Sequence, residues 1–163
     1  MAIEAASQTV VESGANGMAD GVNRIVGGIV SYARWPNAKP GAPRHLCVVG
    51  APRLTDDIAP DQPGGTIISV HRTSTGGAMG GGCDIIFVGR VPVADRQRLF
   101  AWVRGRPVLT LTDDDPACSF GAMFCLTDRK TAVSFAVNLD AIARGPMRID
   151  PRVLKIGSDG EAR

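Results

Sequence analysis

His45-Leu46-Cys47-Val48-Val49-Gly50 decides the fold. It is a short, continuous apolar run bounded by turn residues, which describes a strand buried on both faces. Thr66-Ile67-Ile68-Ser69-Val70, Asp84-Ile85-Ile86-Phe87-Val88 and Pro107-Val108-Leu109-Thr110-Leu111 repeat the pattern. Between the last two, Asp95 to Arg104 places Leu99, Phe100 and Val103 on one side of a helix. Ala122 to Leu126 and Ala132 to Val137, separated by Thr127-Asp128-Arg129-Lys130, predict an antiparallel hairpin. Strand, helix, strand, then hairpin is the signature of a single-domain α/β sandwich. Its sheet is mostly parallel, with an antiparallel hairpin at one end and helices on both faces.

Upstream of this frame, Val22, Ile25, Val26, Ile29, Val30 and Ala33 recur at helical spacing, with Asp20 as a plausible cap and Trp35-Pro36 as the stop. Gly27 and Gly28 weaken that helix by up to about 1 kcal/mol each, so packing must hold it, for example by a close approach of neighbouring backbone. A Pro/Gly linker (Pro40, Gly41, Pro43) leads into the first strand. Residues 1–19 are small and polar without a sustained period, so a frayed lead-in is expected there. The domain proper is expected over 20–157, with a flexible tail at 158–163. A short helix from Asn138 and a last one from Asp150 complete the elements, and Gly76 to Gly82 is expected to be a flexible connection.

At 163 residues the chain holds one domain with a substantial core. Its 44% hydrophobic and 21% charged residues suit a folded protein. A formal charge of +2 and 5% aromatic residues offer neither a phosphate footprint nor base-stacking platforms, so nucleic acid is not an expected partner. No uncharged apolar run approaches the roughly 20 residues of a membrane span. The first 21 residues carry Glu4, Glu12 and Asp20 and lack the basic start and apolar run of a secretory signal.

The candidate chemistry is sparse. Four cysteines (Cys47, Cys83, Cys118, Cys125) admit three disulfide connectivities, or buried free thiols. Without a C-x-x-C or a His-rich set, a zinc site would have to be assembled from scattered thiols. Thr112-Asp113-Asp114-Asp115-Pro116 follows a strand at the carboxyl end, where α/β folds place ligands. With no second acidic cluster after the first strand, the favoured reading is a solvated turn. The glycine patch lacks the order of a phosphate loop and precedes a strand instead of opening a helix. His45 and His71 are the two histidines, and no nucleophile motif accompanies them, so they read as surface or capping residues and no triad is expected.

Several segments together carry a family likeness: Tyr32-Ala33-Arg34-Trp35-Pro36, Leu46-Cys47-Val48-Val49-Gly50, Cys83-Asp84-Ile85-Ile86-Phe87-Val88, Pro107 to Asp113, Phe120-Gly121-Ala122-Met123 and Val133 to Leu139. In this order, from about residue 20 to 157, the chain resembles the YfiR family of periplasmic regulators. All four cysteines fall where that family carries two disulfides. The resemblance implies a non-enzymatic, periplasmic homodimer without cofactor or metal that represses a membrane-bound diguanylate cyclase by binding its periplasmic sensor domain. Cyclic di-GMP signalling and biofilm formation would follow, and an outer-membrane lipoprotein would sequester the repressor. It also implies that Cys47 pairs with Cys83 and Cys118 with Cys125, the second pair spanning an exposed loop and being the redox-sensitive one. An export signal is expected to precede the sequence given.

Two departures from the family stand out: a glycine-rich stretch before Cys83 in place of a helix, and an N-terminal lead without the aromatic helix face. Val22, Ile25, Val26, Ile29 and Trp35 are the expected partner or dimer surface. The competing classes are a small-molecule-binding α/β sensor or transport-associated domain using the sheet edge near Gly50, Gly89 and Asp113, and an enzyme with a metal at Asp113 to Asp115.

Overall fold

The computed structural model describes residues 2–11, 17–39, 41–129 and 132–156. In chain order the elements are β1 (Ala2–Val11), α1 (Gly17–Tyr32), β2 (Ala33–Arg34), β3 (Arg44–Val49), β4 (Ile68–Thr73), α2 (Thr75–Ala78) and β5 (Ile85–Val88). There follow α3 (Val93–Val103), β6 (Leu109–Thr112), β7 (Phe124–Arg129), β8 (Ala132–Asn138), α4 (Leu139–Ala143) and β9 (Arg148–Ile149). Short 3-10 helices span Pro63–Gly65 and Pro151–Lys155.

Seven strands form one sheet of order β1-β8-β7-β6-β5-β3-β4, and β2 pairs with β9 in a second, two-stranded sheet. The β4-β3, β3-β5, β5-β6 and β6-β7 pairs are parallel, while β7-β8 and β8-β1 are antiparallel. The fold is therefore the expected α/β arrangement with a mostly parallel sheet and an antiparallel end.

Side chains alternate across the sheet because a strand repeats every two residues. Leu46, Val48, Ile85, Phe87, Leu109 and Leu111 pack on one face with Val22, Ile25, Val26 and Ile29 of α1. Val49, Ile86 and Val88 face the other way and pack with Ala78 of α2 and with Leu99 and Phe100 of α3. Gly27 sits where α1 meets the loop after β3, and a Cβ there would collide with the Asp61 backbone. The close approach expected from the glycine pair is thus present.

Three regions differ from the sequence reading. Residues 2–11, expected to be a frayed lead-in, form β1 against β8, with register from Ala2 opposite Asn138 to Val11 opposite Ala132. A strand that pairs across more than 120 positions leaves no local signature. The glycine patch is not wholly a flexible connection. Ser74 caps α2 by accepting from the Gly77 amide at 2.9 Å, which gives one helical turn where the family was expected to have a helix. The expected helix from Asp150 is the 3-10 turn Pro151–Lys155, capped by the Asp150 side chain. The expected tail at 158–163, and residues 1, 12–16, 40, 130 and 131 of the expected lead-in, linker and hairpin turn, lie outside the described residues.

Candidate functional site

The carboxyl edge of the sheet, the expected place for a ligand, is filled by main chain. Gly50 turns with φ 76°, and a Cβ there would strike the Arg90 carbonyl oxygen. Ala51 and Arg90 bridge antiparallel, with amide-to-carbonyl distances of 3.1 and 2.7 Å, and the Gly89 amide donates to Val49 O at 2.8 Å.

The acidic turn is buried, which corrects the expected solvated turn: Asp113 is 1% exposed and Asp115 2%. Asp113 Oδ2 accepts from the Arg53 and Leu54 amides at 2.6 and 2.9 Å, and Arg53 Nε donates to the Asp113 carbonyl at 2.9 Å. Arg53 then reaches Asp128 Oδ1 at 3.0 Å, and that guanidinium lowers the Asp128 pKa. Burial pushes the Asp113 carboxyl up, against the pull of the Leu54 and Arg53 amides and the Arg53 charge. The Oδ1 atoms of both Asp113 and Asp115 have no hydrogen-bond partner. Asp113 clamps the loop after β3 to the loop after β6. Among the described residues the convergent set of three metal-ligating side chains lies elsewhere.

The structure joins Cys47 to Cys83 and Cys118 to Cys125, with Cα separations of 5.9 and 5.5 Å. The two bridges occupy opposite environments. Cys118 and Cys125 are both buried, and their loop is held from several sides. Asp115 Oδ2 accepts from the Phe120 amide at 2.8 Å, Asn138 Nδ2 donates to the Cys118 carbonyl at 3.1 Å, and Cys118 itself adopts φ 50°. This loop makes the parallel return from β6 to β7 without a helix. That is possible because only Leu111-Phe124 and Thr112-Cys125 pair, so the chain hardly has to travel back.

The Cys47–Cys83 bridge is open on one side. Cys47 is fully buried, but Cys83 is only half-buried, and exposed His71 places Nε2 3.3 Å from Cys47 Sγ. Thiol-disulfide exchange needs access to a sulfur. By residue exposure Cys47–Cys83 is the more open of the two bridges, although the 118–125 pair was the one expected to be redox-sensitive. Its loop is exposed at Phe120, but its sulfurs are not.

The expected partner surface is core. Val22, Ile25, Val26 and Ile29 are each 0% exposed and pack against the sheet, so their helical period reports the inward face of α1. Trp35 is 8% exposed, donates from Nε1 to the Asp84 carbonyl at 3.1 Å, and carries the Arg44 guanidinium 4.0 Å over its ring. Sequence reasoning missed Asn23 and Phe120. Asn23, buried in α1, donates to the Asp57 carbonyl and accepts from the Ala59 amide, both at 2.8 Å, and so ties down the loop after β3. Phe120 is 45% exposed, with the Arg96 guanidinium 3.7 Å over its ring. An aromatic between Ser119 and Gly121 in a loop was the available signal for it.

Beside Phe120 lies a cavity of about 220 Å³ whose lining includes Phe100, Arg104, Arg106, Asn138 and Arg144. A second, of about 320 Å³, is lined by Val30, Arg34, Trp35, Lys39 and Arg44, among others. No helix of the described residues is long and apolar enough to cross a membrane. The two disulfides fit an oxidising compartment. The family model described as YfiR/HmsC-like matches residues 20–158, most of the chain, and the chain belongs to that family.

Proposed function

We propose, with membership of the YfiR/HmsC-like family as the premise, that this chain is a non-enzymatic periplasmic repressor. It binds the periplasmic sensor domain of a membrane-bound diguanylate cyclase and thereby lowers cyclic di-GMP output and biofilm formation. The observation that carries this reading is the family match over residues 20–158. Two disulfides and a carboxyl edge closed by its own backbone are consistent with a protein that works through its surface.

With α1 committed to the core, the contact surface is reassigned. Phe120 and the arginines around it (Arg96, Arg104, Arg106, Arg144) form an aromatic patch with a cationic rim on a loop held rigid by a disulfide. A preformed patch of this kind suits a partner that is acidic at its rim, since little order has to be created on binding. Self-association is assigned to the open edge of β4, where Val70 and, just before the strand, Ile67 are 38% and 57% exposed. Sequestration by an outer-membrane lipoprotein is the same surface taken by a competitor.

Deleting the gene and measuring cyclic di-GMP tests the reading, with complementation by native protein and by Phe120→Asp. The expected result is a rise on deletion, reversed by native protein and not by the variant. An unchanged cyclic di-GMP level on deletion contradicts the repressor. A second reading, a small-molecule sensor, draws on the 320 Å³ cavity, whose Trp35, Arg34, Lys39 and Arg44 suit a small anionic aromatic compound. A ligand-dependent rise in melting temperature that Arg44→Ala abolishes would favour it.

A further inference from the structure

Cys47 lies directly opposite His71 in the parallel pairing of β3 with β4, so both side chains leave the sheet on the same face. Cys83, just before β5, reaches the same spot from the other neighbour of β3. One donor atom from each of Cys47, His71 and Cys83 lies within 4.8 Å of the other two. No spacing rule exposes this set, because three different chain segments supply it.

While the disulfide is closed, these sulfurs are poor ligands. Once it is open, the same three residues are two thiols and an imidazole, the donor set of thiophilic, borderline-soft cations. We propose that reducing Cys47–Cys83 converts this corner of the sheet into a zinc site with Cys47, Cys83 and His71 as its protein ligands. The inference is independent of the repressor reading. The reductant is a small thiol: the Cys47–Cys83 disulfide and two RSH give two cysteine thiols and RSSR. Zinc then displaces one proton from each thiol and takes the lone pair of neutral His71 Nε2, releasing two protons in all.

Geometry favours the conversion. Zinc holds sulfur at about 2.3 Å and imidazole nitrogen at about 2.0 Å, so tetrahedral ligand atoms stand roughly 3.5 to 4 Å apart. Cys47 Sγ and His71 Nε2 are already 3.3 Å apart, all three donor atoms lie within 4.8 Å of one another, and the two sulfurs must separate from bonding distance. Two thiolates neutralise the cation beside the buried Cys47. The exposed imidazole and half-buried Cys83 leave a fourth position open to water.

The test uses the full chain, reduced with a phosphine that is then removed under anaerobic conditions. Zinc affinity is read by competition with a chromophoric chelator, and sulfur ligation by the charge-transfer absorbance of added cobalt(II). The expected result is one zinc per chain, a thiolate-to-cobalt band in reduced protein, and neither in oxidised protein. His71→Ala should weaken zinc by at least about tenfold, since loss of an outer-shell partner alone costs that much. Cys118→Ala with Cys125→Ala should leave the stoichiometry at one. Equal affinity in His71→Ala, or binding lost with the Cys118/Cys125 pair, overturns the proposal. So does collapse of the circular dichroism on reduction, because the site exists only in a folded sheet.

Discussion

The two disulfides close loops of very different length in opposite surroundings, and comparing them separates the exposure of a loop from the exposure of its bridge. Cys118–Cys125 spans a separation of seven residues, with both cysteines buried and its loop fastened by Asp115 and Asn138. Cys47–Cys83 spans a separation of 36 residues and crosses neighbouring strands, with one half-buried cysteine and an imidazole at its side. Exposure of a loop and exposure of its sulfurs are separate properties. Phe120 advertises the short loop to solvent while the sulfurs beneath it are sealed.

The largest expected difference is in stability. On chain entropy, a loop the length of 47–83 gives about 4 kcal/mol and one the length of 118–125 about 2.5 kcal/mol, with native-state strain ignored. Urea unfolding of Cys47→Ala/Cys83→Ala and of Cys118→Ala/Cys125→Ala should therefore rank the first as the more damaged. The reverse order would mean that contacts around Cys118, rather than loop closure, set the contribution.

Next comes the fastening of the buried bridge. Asp115→Ala removes the carboxylate acceptor of the part-buried Phe120 amide and should cost about 1 to 3 kcal/mol in chemical denaturation. It should also speed reduction of Cys118–Cys125 while leaving Cys47–Cys83 unchanged. If both bridges respond equally, Asp115 acts on global stability alone.

A pH series sharpens the electrostatics behind the same loop. Asp113 has a raised folded-state pKa from burial, so the native state binds its proton more tightly than the unfolded chain does. Its contribution is fully present below the ordinary carboxylate pKa of 3.8 and is lost as pH rises through the folded value. Asp113→Asn should flatten that decline while keeping an acceptor for the Arg53 and Leu54 amides. Asp150, partly exposed, behaves oppositely. The hydrogen bond from Arg152 holds it at about 2, so its contribution is present above the ordinary value and fades as pH falls toward 2. An unaltered pH slope in Asp113→Asn would contradict the assigned direction.

The smallest effect belongs to the accessible corner. His71 is exposed on an edge strand, and His71→Ala should change unfolding free energy by less than about 0.5 kcal/mol. A larger loss would show that the imidazole is holding the edge strand in place.

Strand periodicity made most of the sheet legible in advance: Ile85, Phe87, Leu109 and Leu111 fall on one side of it, as alternation requires. The inward face of α1 was equally legible as a helix and misleading as a surface. An apolar stripe at helical spacing is the mark of core packing before it is the mark of docking. The pairing of β1 with β8 and the burial of Asp113 and Asp115 had no local signal, because each depends on segments far along the chain. The same holds for His71 beside Cys47, two residues read separately until register set them opposite one another. Both disulfide pairings followed from family resemblance, not spacing, and the relative accessibility of the two bridges needed the fold.

The most direct test is graded reduction of the folded protein, alkylation at each step, and mass mapping of the labelled cysteines. Labelling of Cys47 and Cys83 at reductant levels that leave Cys118 and Cys125 protected is the predicted result. Labelling of Cys118 and Cys125 first, or of all four together, would contradict the account.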